Sequence, residues 1–176
     1  LTDVTGVQTC ALPIYLFFTV NEARVGYRLW QTNGTSVSIV KDGNGNMFYL
    51  PALELKSTGT LVYFVTKTEN ETLFQTDGTQ SNTKPVKDAT GRVFSDVRKM
   101  NVLGTKLYFA YDDGVHGLEF WETAGTTITT KMTKEVNPYG GITIGATFVM
   151  TGKFYFIADD GVSAEYGHGK ELFCIK

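Results

Sequence analysis

Apolar residues in this chain come in short bursts at a long, regular interval. Four bursts end on phenylalanine: Leu16-Phe17-Phe18, Val62-Tyr63-Phe64, Leu107-Tyr108-Phe109 and Phe154-Tyr155-Phe156. The last phenylalanines, Phe18, Phe64, Phe109 and Phe156, are 46, 45 and 47 residues apart. A second burst follows each: Leu29-Trp30, Leu73-Phe74, Phe120-Trp121 and Leu172-Phe173. Turns punctuate them. Thr58-Gly59-Thr60, Leu103-Gly104-Thr105 and Thr151-Gly152-Lys153 lead into the aromatic strands. Asn33-Gly34-Thr35, Asp77-Gly78-Thr79 and Ala124-Gly125-Thr126 follow the second bursts, and Val40-Lys41-Asp42 and Val86-Lys87-Asp88 close a third strand. Glycine supplies the positive φ that tight hairpins need, and Asn33-Gly34 and Asp77-Gly78 read as type I′ pairs.

Self-similarity at this period is the mark of a repeat architecture. Leu61-Val62-Tyr63-Phe64-Val65 and Phe154-Tyr155-Phe156-Ile157-Ala158 are apolar on both faces, so each needs a packed layer on either side. No stretch sustains a 3.6-residue period. The pattern predicts an all-β fold, a partial β-propeller of about three and a half four-stranded antiparallel blades with a period of about 46 residues. Its divisions fall near 15–58, 59–103, 104–151 and 152–176. Blade one is expected to lack its leading strand, and blade four the turn that follows its second burst. The chain then reads as a portion of a larger propeller, sticky on its own.

The stretch from Val4 to Ile14 fits none of this periodicity and matches the translation of a sequencing-library adapter. Residues 1–14 are therefore set aside as a non-native segment, as a fusion scar would be. That leaves Cys174 as the one native cysteine and no disulfide to argue from.

Composition narrows the function classes. Sixteen basic against eighteen acidic residues give a net charge of −2 without long runs of one sign, so there is no basic stripe for nucleic acid. No apolar run approaches the ~20 residues of a spanning helix.

With these motifs in phase, the chain resembles the ELWxxDGT repeat family of bacterial secreted or surface proteins. Leu73-Phe74-Gln75-Thr76-Asp77-Gly78-Thr79 and Arg28-Leu29-Trp30-Gln31-Thr32-Asn33-Gly34-Thr35 carry the likeness, with Leu107 to Glu119 and Phe154 to Gly161 similar to the segment before the motif. The Glu-Leu-Trp triplet is intact nowhere: it reads Arg28-Leu29-Trp30, Thr72-Leu73-Phe74, Glu119-Phe120-Trp121 and Glu171-Leu172-Phe173. What persists is size and apolarity, which points to packing. The resemblance implies a propeller at the cell surface or outside the cell, and no particular activity.

Two Asp-Asp-Gly turns are the sharpest local chemistry. Asp112-Asp113 and Asp159-Asp160 are each followed by a glutamate, Glu119 and Glu171. Three such carboxylates offer the hard oxygens that Ca²⁺ takes. The competing reading, that Asp-Gly only builds the turn, is favoured, because the other repeats carry Asn21-Glu22 and Thr68-Glu69-Asn70 there. His116 and His168 read as exposed loop residues, Cys174 as a small buried one, and Trp30 and Trp121 as core between blades. Tyr27, Tyr49 and Tyr139 lie nearer loops, where a glycan can be met.

No catalytic or cofactor-binding residue is assigned. The expected role is a non-enzymatic extracellular or cell-surface scaffold whose loops bind a protein or a polysaccharide. The alternative is a carbohydrate-processing hydrolase or lyase with its site in the propeller's central channel. It would need converging carboxylates and arginines, and Arg24, Arg28, Arg92 and Arg98 fall at different phases of the repeat.

Overall fold

The computed structural model describes residues 10–11, 15–24, 26–50, 54–66, 71–159 and 169–175. Among them there is no helix, and the strands form four antiparallel sheets that follow one another along the chain. Sheet one holds β1 (Cys10–Ala11), β2 (Leu16–Glu22), β3 (Gly26–Thr32), β4 (Val37–Ile39) and β5 (Tyr49–Leu50), with β5 also paired to β3. Sheet two is β6 (Leu55–Ser57), β7 (Val62–Val65), β8 (Leu73–Thr76) and β9 (Lys84–Pro85). Sheet three is β10 (Arg98–Leu103), β11 (Lys106–Asp112), β12 (Leu118–Thr123) and β13 (Lys131–Met132). Sheet four is β14 (Thr143–Met150), β15 (Lys153–Asp159) and β16 (Lys170–Ile175). The divisions at 59, 104 and 152 fall in the first hairpins of sheets two, three and four.

One register recurs in all four. Phe18 faces Trp30, Phe64 faces Phe74, Phe109 faces Trp121 and Phe156 faces Phe173. Residues opposite each other across a ladder share a face. Each sheet therefore has a leading face with the last phenylalanine of its burst and a trailing face with the residue before it.

The chain divides into two compact units, 1–87 with 92–96 and 88–91 with 97–176. Each unit buries the trailing face of its first sheet against the leading face of its second. In unit one Phe17 and Leu29 pack with Leu55, Val62 and Phe64. Phe48 closes that core, its ring 5.0 Å from Phe64 and 4.9 Å from Phe74. In unit two Tyr108, Ala110 and Phe120 pack with Phe154, Phe156 and Ala158, the Tyr108 and Phe154 rings stacked at 5.3 Å. Tyr108 also sits beside the Glu122 carboxylate; burial and that charge push its phenol up to about 12.

Several expectations change at this level. Phe64, Phe109 and Phe156 are buried, but Phe18 is only half-buried while Phe17 beside it is sealed. Phe18 lies on the side of sheet one turned away from sheet two. Cys174 is exposed rather than buried, because it lies on the trailing face of sheet four, opposite the one that meets sheet three. The leading-strand position of sheet one is filled: Cys10 and Ala11 pair with Phe17 and Leu16. Backbone pairing of this kind needs an extended segment and an open edge, not a particular sequence.

The Asn33-Gly34 and Asp77-Gly78 turns are not type I′ pairs, since neither Asn33 nor Asp77 has the positive φ that type requires. They open longer loops. Asp77 Oδ1 accepts the Thr79 N–H at 2.9 Å, and Thr76 Oγ1 accepts the Gly78 N–H at 3.0 Å. The Thr151-Gly152 turn does carry positive φ at both positions, 49° and 69°.

Candidate functional site

In unit two, the loop that joins β11 to β12 gathers Asp112, Asp113, His116 and, at the start of β12, Glu119. Local hydrogen bonding shapes it. The exposed Asp112 accepts the Gly114 N–H at 2.9 Å. Asp113 Oδ1 accepts the Val115 and His116 N–H groups at 2.9 and 2.8 Å. Its Oδ2 lies 2.8 Å from His116 Nδ1, with the Asp113 side chain only 4% exposed. That hydrogen bond, with the neighbouring carboxylates, raises the His116 pKa above its ordinary value although slight desolvation opposes it.

Glu119 is fully buried. Its Oε1 accepts the backbone N–H groups of Val136 and Asn137 at 3.2 and 3.0 Å, while Oε2 is buried without a partner. Burial pushes its pKa up, against the pull of those two N–H groups. The carboxyl thus pins the 136–141 loop to β12. Asn137 turns that loop further, accepting the Tyr139 N–H at 2.9 Å and donating to the Gly141 carbonyl at 3.1 Å. The two loops touch through glycine: a side chain at Gly117, where φ is +73°, would collide with the Gly141 backbone. The Ile142 N–H then donates to the Leu118 carbonyl at 2.8 Å. Two apolar side chains project from these tethered loops, Val115 at 77% and Tyr139 at 86% exposure.

The carboxylates proposed for calcium are held apart by this network. Asp113 and Glu119 face different backbone donors, and among the described residues no group of three or more His, Cys, Asp or Glu side chains can hold a metal. Asp159 ends β15 opposite Lys170, and Glu171 lies opposite Ala158. Asp160 and His168 lie outside the described residues, as do Thr68, Glu69 and Asn70 of the second repeat. Of the two tryptophans, Trp121 is buried and Trp30 half-buried, lining a groove with Lys41, Met47 and Gln80. Tyr27 packs against the core of unit one, and the exposed Tyr49 lies under the Arg28 guanidinium at 5.3 Å.

Sequence reasoning missed Asn137 and the 136–141 loop. A signal was present in Asn-Pro-Tyr-Gly-Gly, which is turn chemistry, but its partner Glu119 lies 18 residues earlier.

Among solved structures, the chain is similar to Pyrococcus horikoshii acylaminoacyl peptidase in its orthorhombic crystal form. The TM-score is 0.56 at 10% identity, over 96% of this chain and 25% of that one. At that identity the likeness is one of fold alone, and this chain spans about a quarter of the peptidase's length. No family model and no curated protein matches the chain.

Proposed function

We propose that the four sheets are successive blades of a β-propeller of the ELWxxDGT type. Its role is that of a non-enzymatic scaffold, secreted or at the cell surface, which binds a protein or polysaccharide through its loops. The observation that carries the binding role is the pair of tethered loops in unit two. Several of their polar side chains brace the backbone, and the large apolar side chains they present outward are Val115 and Tyr139. Exposed aromatic and apolar groups on a rigid loop are contact residues rather than proton-transfer residues. The recurring register and period support the blade reading.

Binding to arrays of bacterial polysaccharides and surface proteins tests this, alongside assays for released reducing sugar or unsaturated product. The expected result is reversible binding that Tyr139→Ala weakens, with no product formed. Turnover of a polysaccharide would replace the scaffold with the enzymatic alternative.

A further inference from the structure

Two Asn-Gly pairs lie in loops of unit one, Asn33-Gly34 and Asn44-Gly45, and both asparagines are exposed. Such pairs are chemically labile, because glycine has no Cβ to shield its nitrogen from the neighbouring carboxamide. Whether one reacts depends on how the fold holds the two groups. At the first pair both are held. Asn33 Oδ1 accepts the Thr35 and Ser36 N–H groups at 3.0 and 2.8 Å and the Ser36 hydroxyl at 3.2 Å. The Gly34 N–H donates to Thr32 Oγ1 at 3.1 Å.

At the second pair only the nitrogen is held, by the turn bond from the Gly45 N–H to the Asp42 carbonyl at 2.9 Å. Among the described residues the Asn44 side chain has no hydrogen-bond partner. Asp42 builds this loop instead. Its Oδ1 accepts the N–H groups of Asn44 and Asn46 at 2.9 and 2.8 Å, and its Oδ2 accepts Asn46 Nδ2–H at 3.0 Å. One repeat later Asp88 builds the same turn with Thr90 in the place of Asn44. The Gly91 N–H donates to the Asp88 carbonyl at 3.1 Å, and the Thr90 N–H and hydroxyl donate to Asp88 Oδ1 at 2.9 and 2.6 Å. The turn therefore forms without an asparagine side chain at that position.

We propose that Asn44 is a site of spontaneous deamidation, from which Asn33 is protected by its loop. The Gly45 nitrogen attacks Asn44 Cγ and forms the C–N bond of a five-membered cyclic imide. The Cγ–Nδ2 bond breaks, and the amide nitrogen leaves as ammonia with the proton given up by the Gly45 nitrogen. Water then adds to one of the two imide carbonyls and opens the ring. One opening leaves aspartate at position 44. The other leaves isoaspartate, whose main chain runs through Cγ and is a methylene longer.

Three more hydrogen bonds must open before Asn33 reacts than before Asn44 does, which slows it roughly tenfold or more. Both products place a new carboxylate two residues from Asp42, in a loop built on that aspartate's negative charge. The longer product also upsets the spacing that pairs Lys41 with Met47. Phe48, which closes the core of unit one, follows directly.

The test is peptide mapping by mass spectrometry of the whole chain aged at mildly alkaline pH, with isoaspartate read by enzymatic carboxyl methylation. In the folded chain Asn44 should convert roughly tenfold or more faster than Asn33. In concentrated guanidinium chloride the two should convert at similar rates, because only the loops distinguish them. Thr32→Val, which releases the Gly34 N–H, should speed Asn33 and leave Asn44 unchanged. Comparable rates in the folded chain overturn the proposal. So does an Asn44 that stays intact in the folded chain while the unfolded chain converts fully. The isoaspartyl fraction should melt below the fresh chain, and an unchanged melt would overturn the consequence drawn for the Phe48 core.

Discussion

The hydroxyls of Thr123 and Thr130 meet at 2.7 Å inside the turn after β12, and both residues are buried. Thr123 Oγ1 also accepts the Gly125 N–H at 3.0 Å, while Thr130 Oγ1 donates to the Thr126 carbonyl at 2.7 Å. One repeat earlier the same net joins Thr76 to Thr83 at 2.7 Å, Gly78 to Thr76, and Thr83 to the Thr79 carbonyl. The threonines around the Gly-Thr turns are thus an internal hydrogen-bond frame for the loop.

Thr123→Val and Thr76→Val should each lower stability by about 1–2 kcal/mol, because the bond between the two buried hydroxyls and the bond from the glycine N–H are lost at constant shape. Thr32→Val should do less, since the shorter loop there is exposed and water replaces the lost acceptor. Urea unfolding of the three variants under one buffer decides the order.

Glu119 should make stability fall as pH rises. Its folded pKa lies above the ordinary 4.5, so the stability contributed by the protonated form is whole below 4.5 and is lost as pH climbs through the raised value. Glu119→Gln should remove that slope. Glu119→Ala should cost roughly 2–4 kcal/mol at acid pH, by stranding the Val136 and Asn137 N–H groups, and less once pH has passed the raised value. Denaturant midpoints of the three proteins from acid to neutral pH measure both effects.

His116 adds a second decline with its own window. Its pKa is raised above 6.5 by the hydrogen bond to Asp113, so the contribution is whole below 6.5 and is lost as pH passes the raised value. An NMR titration of the imidazole ring should show the elevated midpoint. Asp113→Asn should return it toward the ordinary value.

Gly117→Ala should be destabilising by more than about 1 kcal/mol, since it combines a left-handed φ with a backbone collision. Gly114→Ala, at φ +75° but with open space around it, should be milder. The comparison of melting temperatures separates crowding from backbone strain.

Chelation should leave melting unchanged. EDTA in excess, with and without added Ca²⁺, is the measurement; a Ca²⁺-reversible fall abolished by Asp112→Ala or Asp159→Ala would reinstate the carboxylate turns as ligands.

Much of the fold was written in the phase of Phe18, Phe64, Phe109 and Phe156, because strand register follows apolar patterning. Whether Phe18 or Cys174 is covered was not, since burial depends on which neighbour a face meets and not on local sequence. The loops were legible only as turns. Asp113 and His116 lie three residues apart and their pairing is local, but the tie from Glu119 to Val136 and Asn137 spans a separation that no periodicity reports. The type I′ assignment failed at Asn33 and Asp77 because their side chains cap longer loops instead of adopting positive φ.

In three repeats the main chain closes the sheet at one place: the N–H of Val40, Val86 and Thr133 donates to the carbonyl of Leu29, Leu73 and Phe120, each at 2.9 Å. A bond between peptide groups is blind to the side chains on either end. Substitution of the residues around Leu29, Leu73 and Phe120 can therefore leave the third strand in its seat. The sheets of such a protein can diverge in letters while they stay alike in register.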